Sequence, residues 1–282
     1  MRLARRFAAQ LAATLLATSQ WPPAAIAADN NKRAVAIVCG GFLIPPEQYK
    51  SYAKALEEVG CAAALYADGS TLSKPQNLDE GARAILEQAD FLQRDLSMEA
   101  EVPLVLLGHS RGAKVATLAA AQSKRKVAAL VLLDPVDATG PDPTTVLPQL
   151  ESLSKVPTAI LGSGAGAGDC SQNDYLRFEA ALGKATAPRL VGVLARAGHT
   201  QFVDNRRVLT VDVCTTGRDK DPVIREVALA ATSAWVGAAL PPGGLEAGAP
   251  AVMAPGARLQ GAVADLSERS FAAAVEWRSA DL

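Results

Sequence analysis

The sequence predicts an α/β fold, a mostly parallel sheet with helices on both faces. Three observations lead there. Short apolar runs alternate with amphipathic stretches along the first 240 residues. The apolar runs lack the in-out polar alternation of half-exposed strands, and most joints between segments are short. Of the 282 residues 49% are hydrophobic, enough to bury one large core. The formal net charge is −1, with no long basic run beyond the first few residues, which argues against a nucleic-acid partner.

Residues 1–28 stand apart. Arg2, Arg5 and Arg6 precede an apolar stretch from Phe7 to Ala17, small residues surround Ala25-Ile26-Ala27, and no acid occurs before Asp29. That order describes a cleavable targeting peptide, with cleavage after Ala27; the apolar part is too short to span a bilayer. A chloroplast address, thylakoid-associated or lumenal, and a secretory one share these features, and both stay open.

The folded region is expected over 29–240. Ala34 to Cys39 reads as a strand with Gly40-Gly41-Phe42 as its sharp exit, then Glu47 to Val59 as a helix and Cys61 to Tyr66 as a strand. Asp79 to Leu96 is a helix with Asp79 as its cap. Val102 to Leu107 is the next strand, followed by an Ala-rich helix through Ala121, and Val127 to Leu133 is a strand ending in Asp134-Pro135-Val136-Asp137. Val156 to Leu161 and Leu190 to Leu194 are strands, and Asn173 to Leu182 and Asp221 to Leu240 are helices. Two longer joints, Ala67 to Leu78 and Ala138 to Lys155, are either plain surface loops or a rim over the strand ends. Residues 241–282 read as a Pro/Gly linker and a tail, docked or disordered.

Between the fifth and sixth of these segments lies Gly108-His109-Ser110-Arg111-Gly112. Strand before and helix after make it a G-x-S-x-G nucleophile elbow. Its glycines leave room where a Cβ would strike the neighbouring strand and helix, and the turn lifts Ser110 clear of the sheet at a helix N-terminus. A serine hydroxyl needs a base, usually a histidine oriented by a carboxylate. The chain has two histidines; His109 sits inside the elbow pointing away from Ser110, which leaves His199 in Ala197-Gly198-His199-Thr200. For the acid, Asp134, Asp137 and Asp169 all fall between Ser110 and His199, the chain order of α/β hydrolases. Asp134 is favoured because it directly follows a strand, Asp169 is the runner-up, and Asp137 reads as a turn or cap residue. The oxyanion hole is assigned to the backbone N–H groups of Phe42 and Arg111.

The four cysteines, Cys39, Cys61, Cys170 and Cys214, show no zinc-ligand spacing, and no metal or cofactor is expected. Cys39 and Cys61 fall in strands as buried thiols, whereas Cys170 and Cys214 fall in loops where a disulfide would tie the His199 and Asp169 loops together.

With these residues assembled, the sequence resembles the chlorophyllase family of α/β hydrolases. The likeness lies in Gly108-His109-Ser110-Arg111-Gly112, Leu133-Asp134-Pro135-Val136-Asp137 with Thr139-Gly140, Leu161-Gly162-Ser163-Gly164 with Cys170, Gly198-His199, and Gly41-Phe42 with Tyr49. It implies Ser110, Asp134 and His199 as nucleophile, acid and base, and hydrolysis of the phytyl ester of chlorophyll, with loose membrane contact because such a pigment lives in lipid. The sequence departs from the family at Cys39, before the oxyanion glycines, where a histidine is common, and at Thr200-Gln201-Phe202 after the histidine. A general carboxylesterase or lipase, and a non-catalytic pigment-binding protein, are the competing readings.

Overall fold

The computed structural model describes residues 32–71, 75–98, 102–137, 143–164, 174–206, 214, 217–241 and 255–280. The targeting peptide read over 1–28, and Asp169 and Cys170, lie outside them.

The apolar runs form strands β1 (Ala34–Cys39), β2 (Cys61–Tyr66), β3 (Leu104–His109), β4 (Val127–Leu133), β5 (Thr158–Ser163) and β6 (Arg189–Leu194), all parallel. A seventh, β7 (Val275–Ala280), runs antiparallel to β6, giving the order β2-β1-β3-β4-β5-β6-β7 among the described residues. The sheet is thus mostly parallel, with helices on both faces. Alternate residues of each strand serve opposite faces. Ala34, Ala36 and Val38 join the core under α1 (Lys50–Glu58), α6 (Asp221–Ala239) and α7 (Pro255–Glu268). Val35, Ile37 and Cys39 join the core under α2 (Leu78–Asp95), α3 (Arg111–Gln122), α4 (Leu147–Ser152) and α5 (Tyr175–Ala181). Burial on both faces explains why the strands read as continuous apolar runs.

The chain lays down β1 and β2 in one direction, then crosses back to place β3 on the other side of β1. Strand order therefore reverses between β1 and β3, where the carboxyl-end loops diverge and leave a crevice. The exits of these two strands are the Gly40-Gly41-Phe42 loop and the Ser110 elbow, paired in register as Cys39 beside Gly108.

Several boundaries differ from the sequence reading. The helix read from Glu47 begins as a 3-10 turn over Pro46–Tyr49. The cap of α2 is Asn77, not Asp79: its side chain accepts from the Asp79 and Glu80 amides at 2.8 and 3.3 Å, which places Asp79 already in the first turn. The joint read over Ala138 to Lys155 contains α4. The largest difference is in residues 241–282, read as linker and tail, where α7 packs on α6 and β7 extends the sheet. Gly192 of β6 makes that docking possible, since a Cβ there would lie 2.4 Å from Trp277. β7 leaves a charged edge, on which Arg278 pairs with Glu276 and Glu179.

Removal of residues 255–282 should uncover the β6 edge and the face of α6. A lower melting temperature and concentration-dependent light scattering are expected; a truncated protein that melts with the full chain would contradict the docked role of α7 and β7.

Candidate active site

Ser110 follows β3 and opens α3 at φ 55° and ψ −126°, a positive φ that non-glycine residues rarely adopt. Close packing enforces the turn. A Cβ at Gly108 would lie 2.4 Å from the Gly112 carbonyl oxygen, and one at Gly112 would lie 2.3 Å from the Cys39 carbonyl oxygen. Side chains at either position would push the helix off the sheet. Asp134, the residue after β4, has φ 38°, and its amide donates to the Leu161 carbonyl at 2.6 Å, so the end of β5 fixes its backbone.

These two positions and the loop after β6 bring three side chains together. Ser110 Oγ lies 2.8 Å from His199 Nε2, and His199 Nδ1 lies 2.6 Å from Asp134 Oδ2. A carboxylate only accepts, so Nδ1 carries the proton and Nε2 is left to accept from the serine hydroxyl. Asp134 is fully buried, and Ser110 and His199 are only 9% and 5% exposed. Burial alone pushes the Asp134 carboxyl up. Hydrogen bonds from His199 and from the Ser163 amide and hydroxyl, both at 2.8 Å, outweigh it and hold the group below its ordinary value of 3.8.

The other sequence candidates fall elsewhere. Asp137 accepts from Val146 N and Thr145 Oγ1 at 2.8 and 2.7 Å and pairs with Arg177, a fastening of the segment leading into α4. Phe42 lies in a turn closed by Ile44 N donating to Gly41 O at 3.1 Å, with Leu43 at φ 57°. The turn abuts the elbow closely, since a Cβ on Gly41 would sit 3.3 Å from Ser110 Cβ. Neither the Phe42 nor the Arg111 amide finds an acceptor among the described residues. The Arg111 side chain turns away, held by Asp68 and the Gln76 carbonyl, and so anchors the loop between β2 and α2 to the elbow.

Three supporting residues escaped the sequence reading. Ser163 closes the carboxylate's hydrogen-bond set. Gln201 holds the histidine loop with every polar valence used: Oε1 accepts from Gly198 N and Gly217 N at 2.7 and 3.0 Å, and Nε2 donates to Asp219 O and Asp221 Oδ1 at 2.6 and 2.8 Å. Tyr52 Oη reaches the Phe202 carbonyl at 2.7 Å from α1. A polar residue within a strand-end motif is the signal that marked Ser163; Gln201 carries none that local pattern reveals.

Cys39 and Cys61 are buried free thiols, and Cys214 is disulfide-bonded; its expected partner Cys170 lies outside the described residues. Among the described residues no cluster of His, Cys, Asp or Glu is arranged to hold a metal ion, and no helix is long and apolar enough to cross a membrane.

His109 is fully buried, and that burial, with His199 nearby, lowers its pKa from 6.5 to about 3. The unfolded chain takes a proton in that window that the folded protein refuses, so the group erodes stability as pH falls from 6.5 toward 3, by at most ~1.4 kcal/mol per pH unit. Denaturant unfolding across that range should show His109→Gln losing less stability than the parent protein, and parallel losses would contradict the buried neutral imidazole.

Comparison with solved structures finds distant likeness. An uncharacterized protein from Bacillus cereus aligns at 15% identity and TM-score 0.47, covering 58% of this chain and 53% of that one, so the chain spans about half that protein's length. Est1E from Butyrivibrio proteoclasticus, solved with ferulic acid, aligns at 16% identity and TM-score 0.47 over 71% of this chain and 89% of its own. MGS-M1, an alpha/beta hydrolase enzyme from a Medee basin deep-sea metagenome library, aligns at 16% identity and TM-score 0.46 over 61% and 72%. A comparison with curated proteins finds no match. The family model described as Chlorophyllase matches residues 27–240, and the chain accordingly belongs to the chlorophyllase family.

Proposed function

We propose that the protein hydrolyses the phytyl ester of chlorophyll to chlorophyllide and phytol, with Ser110 as nucleophile, His199 as general base and acid, and Asp134 as the orienting carboxylate. The observation that carries this reading is the continuous Ser110–His199–Asp134 hydrogen-bonded chain within a sequence of the chlorophyllase family.

In the first half-reaction Ser110 Oγ bonds to the propionate carbonyl carbon while His199 Nε2 takes the hydroxyl proton. The carbonyl oxygen becomes an oxyanion, held by the Phe42 N–H from the turn after β1 and by the Arg111 N–H at the α3 N-terminus. Collapse of this intermediate breaks the bond to the phytyl oxygen, which leaves with the proton from His199. Water then repeats the sequence on the acyl-serine: His199 takes its proton, hydroxide bonds to the carbonyl carbon, and Ser110 Oγ departs with the proton to free the carboxylate product. Asp134 keeps Nδ1 protonated throughout and stabilises the transient imidazolium. A flat macrocycle and a long prenyl chain need a roomy apolar mouth, and loose contact with a lipid surface suits a substrate drawn from lipid.

Purified full-length protein should release phytol and chlorophyllide from chlorophyll a, and Ser110→Ala should abolish release. Turnover of short p-nitrophenyl esters without chlorophyllide would leave a general carboxylesterase and defeat the pigment assignment. Asp134→Asn, which fixes the wrong imidazole tautomer, should lower kcat roughly 10³- to 10⁴-fold; near-parent kcat in that variant would remove Asp134 from the mechanism.

A further inference from the structure

The mechanism leaves one buried titratable side chain at the site unused. His109 is the last residue of β3, directly before Ser110, and has no solvent exposure. Its Nε2 lies 3.0 Å from the His199 backbone oxygen and its Nδ1 lies 2.7 Å from Tyr49 Oη, which also receives the Gly41 amide at 2.9 Å. Hydrogen-bond chemistry fixes the direction of every proton. A carbonyl can only accept, so Nε2 bears the imidazole hydrogen. Nδ1 must then accept from the Tyr49 hydroxyl, whose lone pair takes the Gly41 N–H. Burial keeps the phenol protonated and the imidazole uncharged, consistent with this single order.

The result is a one-way relay from Gly41 N–H through Tyr49 and His109 to the His199 carbonyl. Its ends are the backbones of two segments from opposite parts of the chain: the turn that presents the Phe42 amide, and the loop that presents the base. Its middle is the residue next to Ser110. The Gly41 peptide is pinned on both sides, its N–H by Tyr49 and its carbonyl by Ile44 N.

We infer that Tyr49 and His109 are positioning residues, which set the oxyanion turn and the His199 loop in register with Ser110. Both are fully buried, Tyr49 within the apolar core and His109 beside Phe202, so the hydroxyl and the imidazole each carry a desolvation cost that an apolar side chain of similar shape would avoid. Tyr49 packs among core residues and is joined there by Tyr52, with ring centroids 6.3 Å apart, so the ring left by Tyr49→Phe would fill the same space. The polar atoms do what a filler cannot, by fixing peptide directions at the two loops. Keeping His109 neutral also matters to its neighbour: the two imidazole centroids are 4.9 Å apart, and a cation at His109 would oppose the imidazolium that forms on His199.

This inference rests on the serine-hydrolase reading, and one set of full-length variants separates the two. Tyr49→Phe removes a single oxygen. His109→Leu removes both hydrogen bonds, and His109→Gln restores a donor toward the His199 carbonyl. Ester hydrolysis should show kcat reduced roughly tenfold in Tyr49→Phe and further in His109→Leu, with KM within about twofold of the parent and partial recovery in His109→Gln. The rate of Ser110 labelling by a fluorophosphonate probe should fall in the same order, while its end point reports the folded fraction. Parent-like kcat in folded Tyr49→Phe, or a loss of kcat matched by the loss of labelling end point, would overturn the positioning role. Full activity in Ser110→Ala would instead defeat the serine-hydrolase reading itself.

Discussion

The structure depends on how closely one helix start can approach one strand end. Gly112 lets the first turn of α3 press against the carbonyls of Cys39 and Gly40, and Gly108 lets β3 turn tightly beneath it. No contact energy of this size is large by itself. Its importance is geometric: it brings the exit of β1 and the exit of β3 side by side at the switch point of the sheet, and forces Ser110 into its unusual backbone conformation. The Gly41–Phe42 turn, Ser110 and the α3 N-terminus share one corner because this approach admits no Cβ.

Around that corner the protein solves a second problem, that of burying a negative charge. Asp134 has no contact with solvent, so its ionised form must be supported by hydrogen bonds. The Ser163 amide and hydroxyl and the His199 imidazole supply them. Each donor residue comes from a different strand end, so the carboxylate fixes β4, β5 and the loop after β6 to one another while it orients the His199 imidazole.

Much of this was legible in the residues. Strands β1, β2 and β4 match their apolar runs residue for residue, because burial on both faces leaves an uninterrupted signal that short Gly and Asp exits punctuate. The meeting of Ser110, His199 and Asp134 was legible for a similar reason, since each of the three stands at a predictable strand exit. What escaped was set by tertiary partners. β7 reads as part of a weakly patterned tail because a charged edge strand has no apolar run, and its pairing depends on β6, far away in sequence. β5 and β3 run two residues further than their apolar stretches because neighbouring strands continue to pair with them. Tyr49, Gln201 and Ser163 gain their meaning from groups on other loops, which no local periodicity encodes.

The tether between Arg111 and the loop that follows β2 bears on how this scaffold could be altered. Loops at strand ends are the places where a scaffold of this kind most readily accepts new sequence. Here Asp68 and the Gln76 carbonyl hold the guanidinium of Arg111, the residue that immediately follows Ser110. A transplanted loop lacking those acceptors would strand a buried cation beside Ser110, so a graft at this loop must carry the anchor with it.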